Sequence, residues 1–233
     1  MTTLDDLLDY IFEGQQPPFY PEFEDWVRDS RRYRAFATTY RDKIRAKLRN
    51  IRDEDSLNDL RAELETAALL LRDKQFALEY EKHAAAKQRS PDFTVTYKTH
   101  TPFNVEVRRI RSLELGDDDG VAYSSKLMTV LCDKVGQTAP GIINLLWLVA
   151  DDRMGEDDLL QAVTALRQLA ERKDEEFFTR RGFKNSADFL KQYRQLSGIV
   201  IPQSGEDILW LNPIARHAVP TGIVAALHRL DTG

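Results

Sequence analysis

The sequence predicts an α/β (α+β) fold in which helices flank a mixed β-sheet. Three observations carry this. Segments with apolar residues at helical spacing bracket three short alternating segments, "FALEYE", "DFTVTY" and "FNVEVRRI". A nearly unbroken apolar run, "IINLLWLVA", follows a further helical segment and has the composition of a strand covered on both faces. Helical and strand segments therefore mix within one core.

Taken in order, "TTLDDLLDYIF" places Thr3 as a cap ahead of an apolar stripe of Leu4, Leu7, Leu8 and Ile11. "GQQPPFYPE" breaks that helix. The spacing of Phe36, Tyr40, Ile44, Leu48 and Ile51 predicts one long helix from about Glu22 to Ile51. "SLNDLRAELETAALLLRD" predicts the next, capped by Ser56 or Asn58, with Leu60, Leu64, Ala67, Ala68 and Leu71 facing the core. After the three strands, an acidic loop "ELGDDDG" leads to the helix "SSKLMTVLCDKVGQ", ending near Gln137. Beyond the buried strand come helices in "GEDDLLQAVTALRQLAERK" and "SADFLKQYRQL", a strand pair in "SGIVIP" and "DILWLN", and a short helix from about Pro220. The expected organisation is a helical N-terminal extension over residues 1–55 and an α/β domain over 56–233, its motifs within 60–150.

The 233 residues are 42% hydrophobic and 30% charged, ordinary for a globular chain with a sizeable core. One cysteine, Cys132, excludes a disulfide framework and a cysteine zinc site. The acidic N-terminus lacks the basic region of a secretory signal, and the longest apolar run is about half a membrane span. A cytoplasmic location without membrane contact is expected. The four histidines lack metal-ligand spacing on a helix and read as surface residues. Net charge is −5, so any nucleic-acid contact must come from a local patch. Such a patch exists in sequence: Arg28 to Arg52 holds ten Lys or Arg against Asp29 and Asp42. It reads either as the solvated face of an amphipathic helix or as a phosphate-contacting surface through Arg34, Arg41, Arg45 and Arg49.

The hairpin "SPDFTVTYKTHTPFNVEVRRI" carries the chemistry. Asn104, Glu106 and Arg108 share one strand face, opposite Val105 and Val107. With the turn centred near His100, Asp92 falls opposite Arg108 or one residue beyond, and Glu106 becomes a diagonal neighbour roughly 7–8 Å away. Two carboxylates so placed suit a divalent cation with oxygen preference, Mg²⁺ or Mn²⁺. A plain ion pair to Arg108 on a solvated sheet is the structural alternative.

The order of these features resembles the PD-(D/E)XK nuclease superfamily, with its restriction-endonuclease-like fold. The residues that carry the resemblance are a glutamate in "RAELETAALLL", the strand "FALEYE", Pro91-Asp92, Glu106-x-Arg108, the helix holding "CDKVGQ" and the strand "NLLWLVA". The chain is similar to bacterial members of that superfamily with a helical N-terminal extension. The resemblance implies a metal-dependent phosphodiesterase acting on nucleic acid, with DNA the expected polymer. Asp92 and Glu106 would be its metal pair, with Glu63 or Glu65 as the helix glutamate. The chain departs from the pattern at Arg108, where lysine is the rule. Arginine stays charged and holds phosphate but carries no proton. Lys134 and Gln137, three apart on one helix face, are candidates for a relocated cation. The resemblance leaves two further readings: a catalytically weakened or inactive nucleic-acid-binding module, and a structural or oligomeric protein. A homodimer is compatible with any of them.

Overall fold

The computed structural model describes residues 3–81, 90–111, 119–151, 154–203 and 207–230. The acidic loop "ELGDDDG" and His83 lie wholly or mostly outside these residues. Helices α1 (Leu4–Phe12), α2 (Tyr20–Asp29), α3 (Arg31–Asn50) and α4 (Glu54–Leu70) precede β1 (Phe76–Tyr80), β2 (Phe93–Tyr97) and β3 (Thr101–Ile110). Helix α5 (Asp119–Val135) leads to β4 (Ile143–Ala150), then α6 (Glu156–Glu171), α7 (Glu175–Thr179) and α8 (Ser186–Tyr193). Strands β5 (Gly198–Ile201) and β6 (Ile208–Leu211) and helix α9 (Thr221–His228) complete the chain. The six strands lie in chain order in one mixed sheet. β1, β2 and β3 pair antiparallel, β3, β4 and β5 parallel, and β5 and β6 antiparallel.

Side-chain alternation splits the core into two layers. Phe93, Val95, Phe103, Val105, Val107, Leu145 and Trp147 face the cluster built with α1–α4 and α9. Ile110, Leu146, Leu148, Ile199 and Ile201 face the cluster built with α5–α8. β4 is thus covered on both faces, which is why its sequence does not alternate. The N-terminal helices are one layer of this shared core, with Phe36 ring to ring with Tyr80 at 5.9 Å and Tyr80 stacked on Phe93 at 5.2 Å.

Local chemistry differs from the sequence expectation at four points. The long helix expected from Glu22 to Ile51 breaks at Ser30, whose extended backbone and hydroxyl, accepting from the Tyr33 N–H at 3.1 Å, cap a new helix. Asp53, not Ser56 or Asn58, caps α4, accepting from the Ser56 N–H at 2.7 Å. The short α7 went unforeseen, because a five-residue helix carries too little periodicity to register. In the hairpin, Phe93 pairs with Val105 and Tyr97 with Thr101, so the turn centres on Thr99. Lys98 and Thr99 both take left-handed backbone there (φ +47° and +69°). One residue further along this register Asp92 sits beside Glu106, not Arg108.

Arg32 ties the N-terminal layer to the sheet by donating to the carbonyls of Leu71 and Asp73, each at 2.6 Å, and of Phe76. If this layer is integral, Phe36→Ala should cost about 3 kcal/mol. Thr38→Ala, on the exposed side of the same helix, should stay within about 0.5 kcal/mol. Urea unfolding should show a single transition for both; a separate early transition for the first 50 or so residues would contradict a shared core.

Candidate functional site

Asp92 enters β2 behind Pro91, which cannot extend the ladder. Its carbonyl accepts from the Glu81 N–H and its Oδ2 from the Val107 N–H, both at 2.8 Å. The carboxyl is therefore fixed by one backbone N–H of β3, and the Asp92 backbone by the residue that follows β1. Glu63 projects from α4 and accepts from the Tyr80 hydroxyl at 2.5 Å and from Lys47 Nζ at 2.5 Å. Lys47, on α3, also reaches Glu81 Oε1 at 2.7 Å. Lys43, one turn earlier, donates to the carbonyls of Tyr80 and Glu81 at 2.7 and 3.2 Å. Oxygens of Glu63, Glu81 and Asp92 lie within 4.8 Å of one another.

Glu106 comes from β3, beside Asp92 in the register. It alternates with the core-facing Val105 and Val107, and its Oε1 accepts from Lys134 Nζ of α5 at 2.5 Å. Burial, then Glu63, then Glu106 push the Asp92 carboxyl up to about 8; the Val107 N–H and Lys47 oppose this and lose. Burial works against the Lys47 charge, yet Glu63 and Glu81 together hold its pKa above the ordinary value. Burial and the neighbouring Glu63 raise the Tyr80 hydroxyl well above its usual range.

Of the residues singled out in sequence, Glu63, Asp92, Glu106 and Lys134 come together here. Glu65 does not: it lies on a different face of α4, in a cleft with Arg61 and Arg109, where burial raises its pKa. Arg108 lines a neighbouring cleft with Lys134 and Gln137. Sequence reasoning missed Glu81 and Lys47. Glu81 follows the last residue of β1 and is turned by left-handed backbone (φ +44°), which no local pattern signals. Lys47 was visible only as one of ten cations in a basic segment.

The cations assigned to a phosphate-contacting face are largely engaged within the molecule. Arg45 and Arg49 both pair with Glu13, and Arg41 and Arg45 lie over the Tyr10 ring at 4.9 and 4.5 Å. Arg34 donates to the carbonyls of Val27 and Arg28 at 3.0 and 3.1 Å. Cys132 is buried and its thiol is pushed up to about 12, mainly by that burial, so it is no nucleophile. No described helix is long and apolar enough to cross a membrane. Comparison with protein-family models, curated proteins and solved structures finds no significant match.

The donor set suits a hard divalent cation: three carboxyl groups with converging oxygens, one of which, Asp92, has its charge only partly compensated. Lys47 is the competing resident cation. Asp92 binds its proton near pH 8 folded against 3.8 for an ordinary aspartate. Its stabilising contribution is complete below about pH 4 and is lost as pH rises toward about 8. Asp92→Asn should therefore melt close to wild type at about pH 4 and several degrees higher at about pH 8.5 in EDTA. A difference independent of pH would contradict a desolvated Asp92 carboxyl.

Proposed function

We propose that the chain is a metal-dependent phosphodiesterase of the PD-(D/E)XK type, acting on nucleic acid. The observation that carries this reading is the Asp92 carboxyl, fixed behind Pro91 and charged against Glu63 on one side and Glu106 on the other. Glu63, Glu81 and Asp92 would hold the ion, Mg²⁺ or Mn²⁺. When bound, the ion supplies a Lewis acid and a water of lowered pKa. Glu106, paired with Lys134, can orient a water through its carboxylate. Lys134 supplies the ammonium that the strand position of Arg108 lacks. Arg108, two residues from Glu106 on the same strand face, offers a fork for a phosphate oxygen. Because the ion favours the ionised Asp92, metal affinity should rise about tenfold per pH unit up to about pH 8.

A second reading, a nuclease-like binding module without turnover, is favoured by one feature. Lys47 already bridges Glu63 and Glu81 and satisfies both acids without an ion.

Incubation of single-stranded DNA, duplex DNA and RNA with Mn²⁺ or Mg²⁺ separates the two. The enzyme reading expects cleavage that EDTA stops, that Asp92→Asn abolishes with the fold intact, and that Arg108→Lys preserves or raises. Nucleic-acid binding without cleavage, in wild type and in Arg108→Lys alike, leaves the binding module.

A further inference from the structure

Beside Glu106 a cleft of about 550 Å³ opens between β3, α5 and the segment joining α7 to α8. Its lining includes Arg108, Lys134, Gln137, Arg181 and Gln192, with Asp133 the acid among them. Two of the cations stand apart from the rest of the molecule. Further along β3, Arg109 pairs with Asp55, Asp59 and Asp151, and Arg111, just beyond it, with Asp55 and Asp59. The Arg108 side chain forms no ion pair or hydrogen bond among the described residues. Arg181 has no carboxylate partner among them either. Its guanidinium lies 3.7 Å from the centre of the Phe177 ring, Nη1 donates to the Phe177 carbonyl at 3.2 Å, and Nε is buried without a partner. A cation stacked on an aromatic ring is held in place while its outer donors stay available. Lys134 and Gln137 line both this cleft and the cavity containing Ser90, Pro91 and Glu106, so the cleft adjoins the Glu106 side of the site.

We infer that this cleft, not the basic helix α3, carries the phosphodiester backbone of the nucleic acid, with Arg108 and Arg181 as its phosphate-binding residues. This rests on the proposed function, because the ligand class follows from a strand leading into that site. The cleft's charge complements a polyanion: with Lys134 held by Glu106, Arg108 and Arg181 face one acid, Asp133. Arg34, Arg41, Arg45 and Arg49 of α3, by contrast, are spent on Glu13, Tyr10 and backbone carbonyls.

The test is fluorescence anisotropy of short labelled DNA and RNA strands in EDTA, so that no turnover interferes. The double variant Arg108→Gln/Arg181→Gln should lose about tenfold or more in affinity and lower the salt slope by about 2. Arg108→Lys/Arg181→Lys, which keeps both charges, should recover most of the loss, separating charge from folding. Arg41→Gln/Arg49→Gln should stay within about twofold of wild type. Unchanged binding in the Gln double variant, or a large loss from the α3 pair, overturns the cleft while leaving the enzyme reading to its separate cleavage assay. Wild-type protein that binds no strand overturns the cleft too. The enzyme reading falls only if cleavage is also absent.

Discussion

The Lys47 ammonium is the contact on which the site and the N-terminal layer both depend. It sits 2.5 Å from Glu63 and 2.7 Å from Glu81, and those acids share a space less than 5 Å across with Asp92. Like charges this close in a partly dehydrated place repel by several kcal/mol unless a cation intervenes. Lys47 can intervene because α3 packs Phe36 and Ile44 against the sheet, bringing its polar flank over the end of β1. Removing the lysine would leave the acids uncompensated, a loss larger than any gain the pair itself provides. The helical layer is therefore part of the site's electrostatics.

Seen this way, Asp92 is the one acid the resident cations do not fully serve. Lys47 answers Glu63 and Glu81, and Lys134 answers Glu106. Asp92 has a single backbone N–H and keeps its proton to about pH 8. On the proposed reading, a divalent ion would supply the missing charge and displace that proton.

Much of this was legible in the sequence where the physics is local. Alternation in "DFTVTY" and "FNVEVRRI", the apolar run of β4, and the Pro-Asp and Glu-x-Arg order all follow from short-range pattern. The order also offered Glu63 or Glu65, and Lys134 with Gln137; Glu63 and Lys134 meet Asp92 and Glu106 through folding that spacing alone does not describe. What stayed hidden depends on distant partners or single dihedrals. Glu81 is aimed by one left-handed residue, and the hairpin register by two more at Lys98 and Thr99. The charge of α3 looked like an open surface because Glu13 and Tyr10, its partners, lie more than 25 residues away in the chain. A count of cations records how many there are and not which of them are already neutralised.

The central claim is that Glu63, Glu81 and Asp92 form one divalent-cation site at the Pro91-Asp92 entry to β2. Crystals grown with Mn²⁺ above about pH 8, measured at a wavelength where manganese scatters anomalously, test it most directly. The account predicts one strong anomalous peak within about 2.0–2.4 Å of oxygens from all three carboxylates, with Lys47 moved off at least one of its partners. An anomalous map without a peak there, and with Lys47 still bridging Glu63 and Glu81, would contradict it.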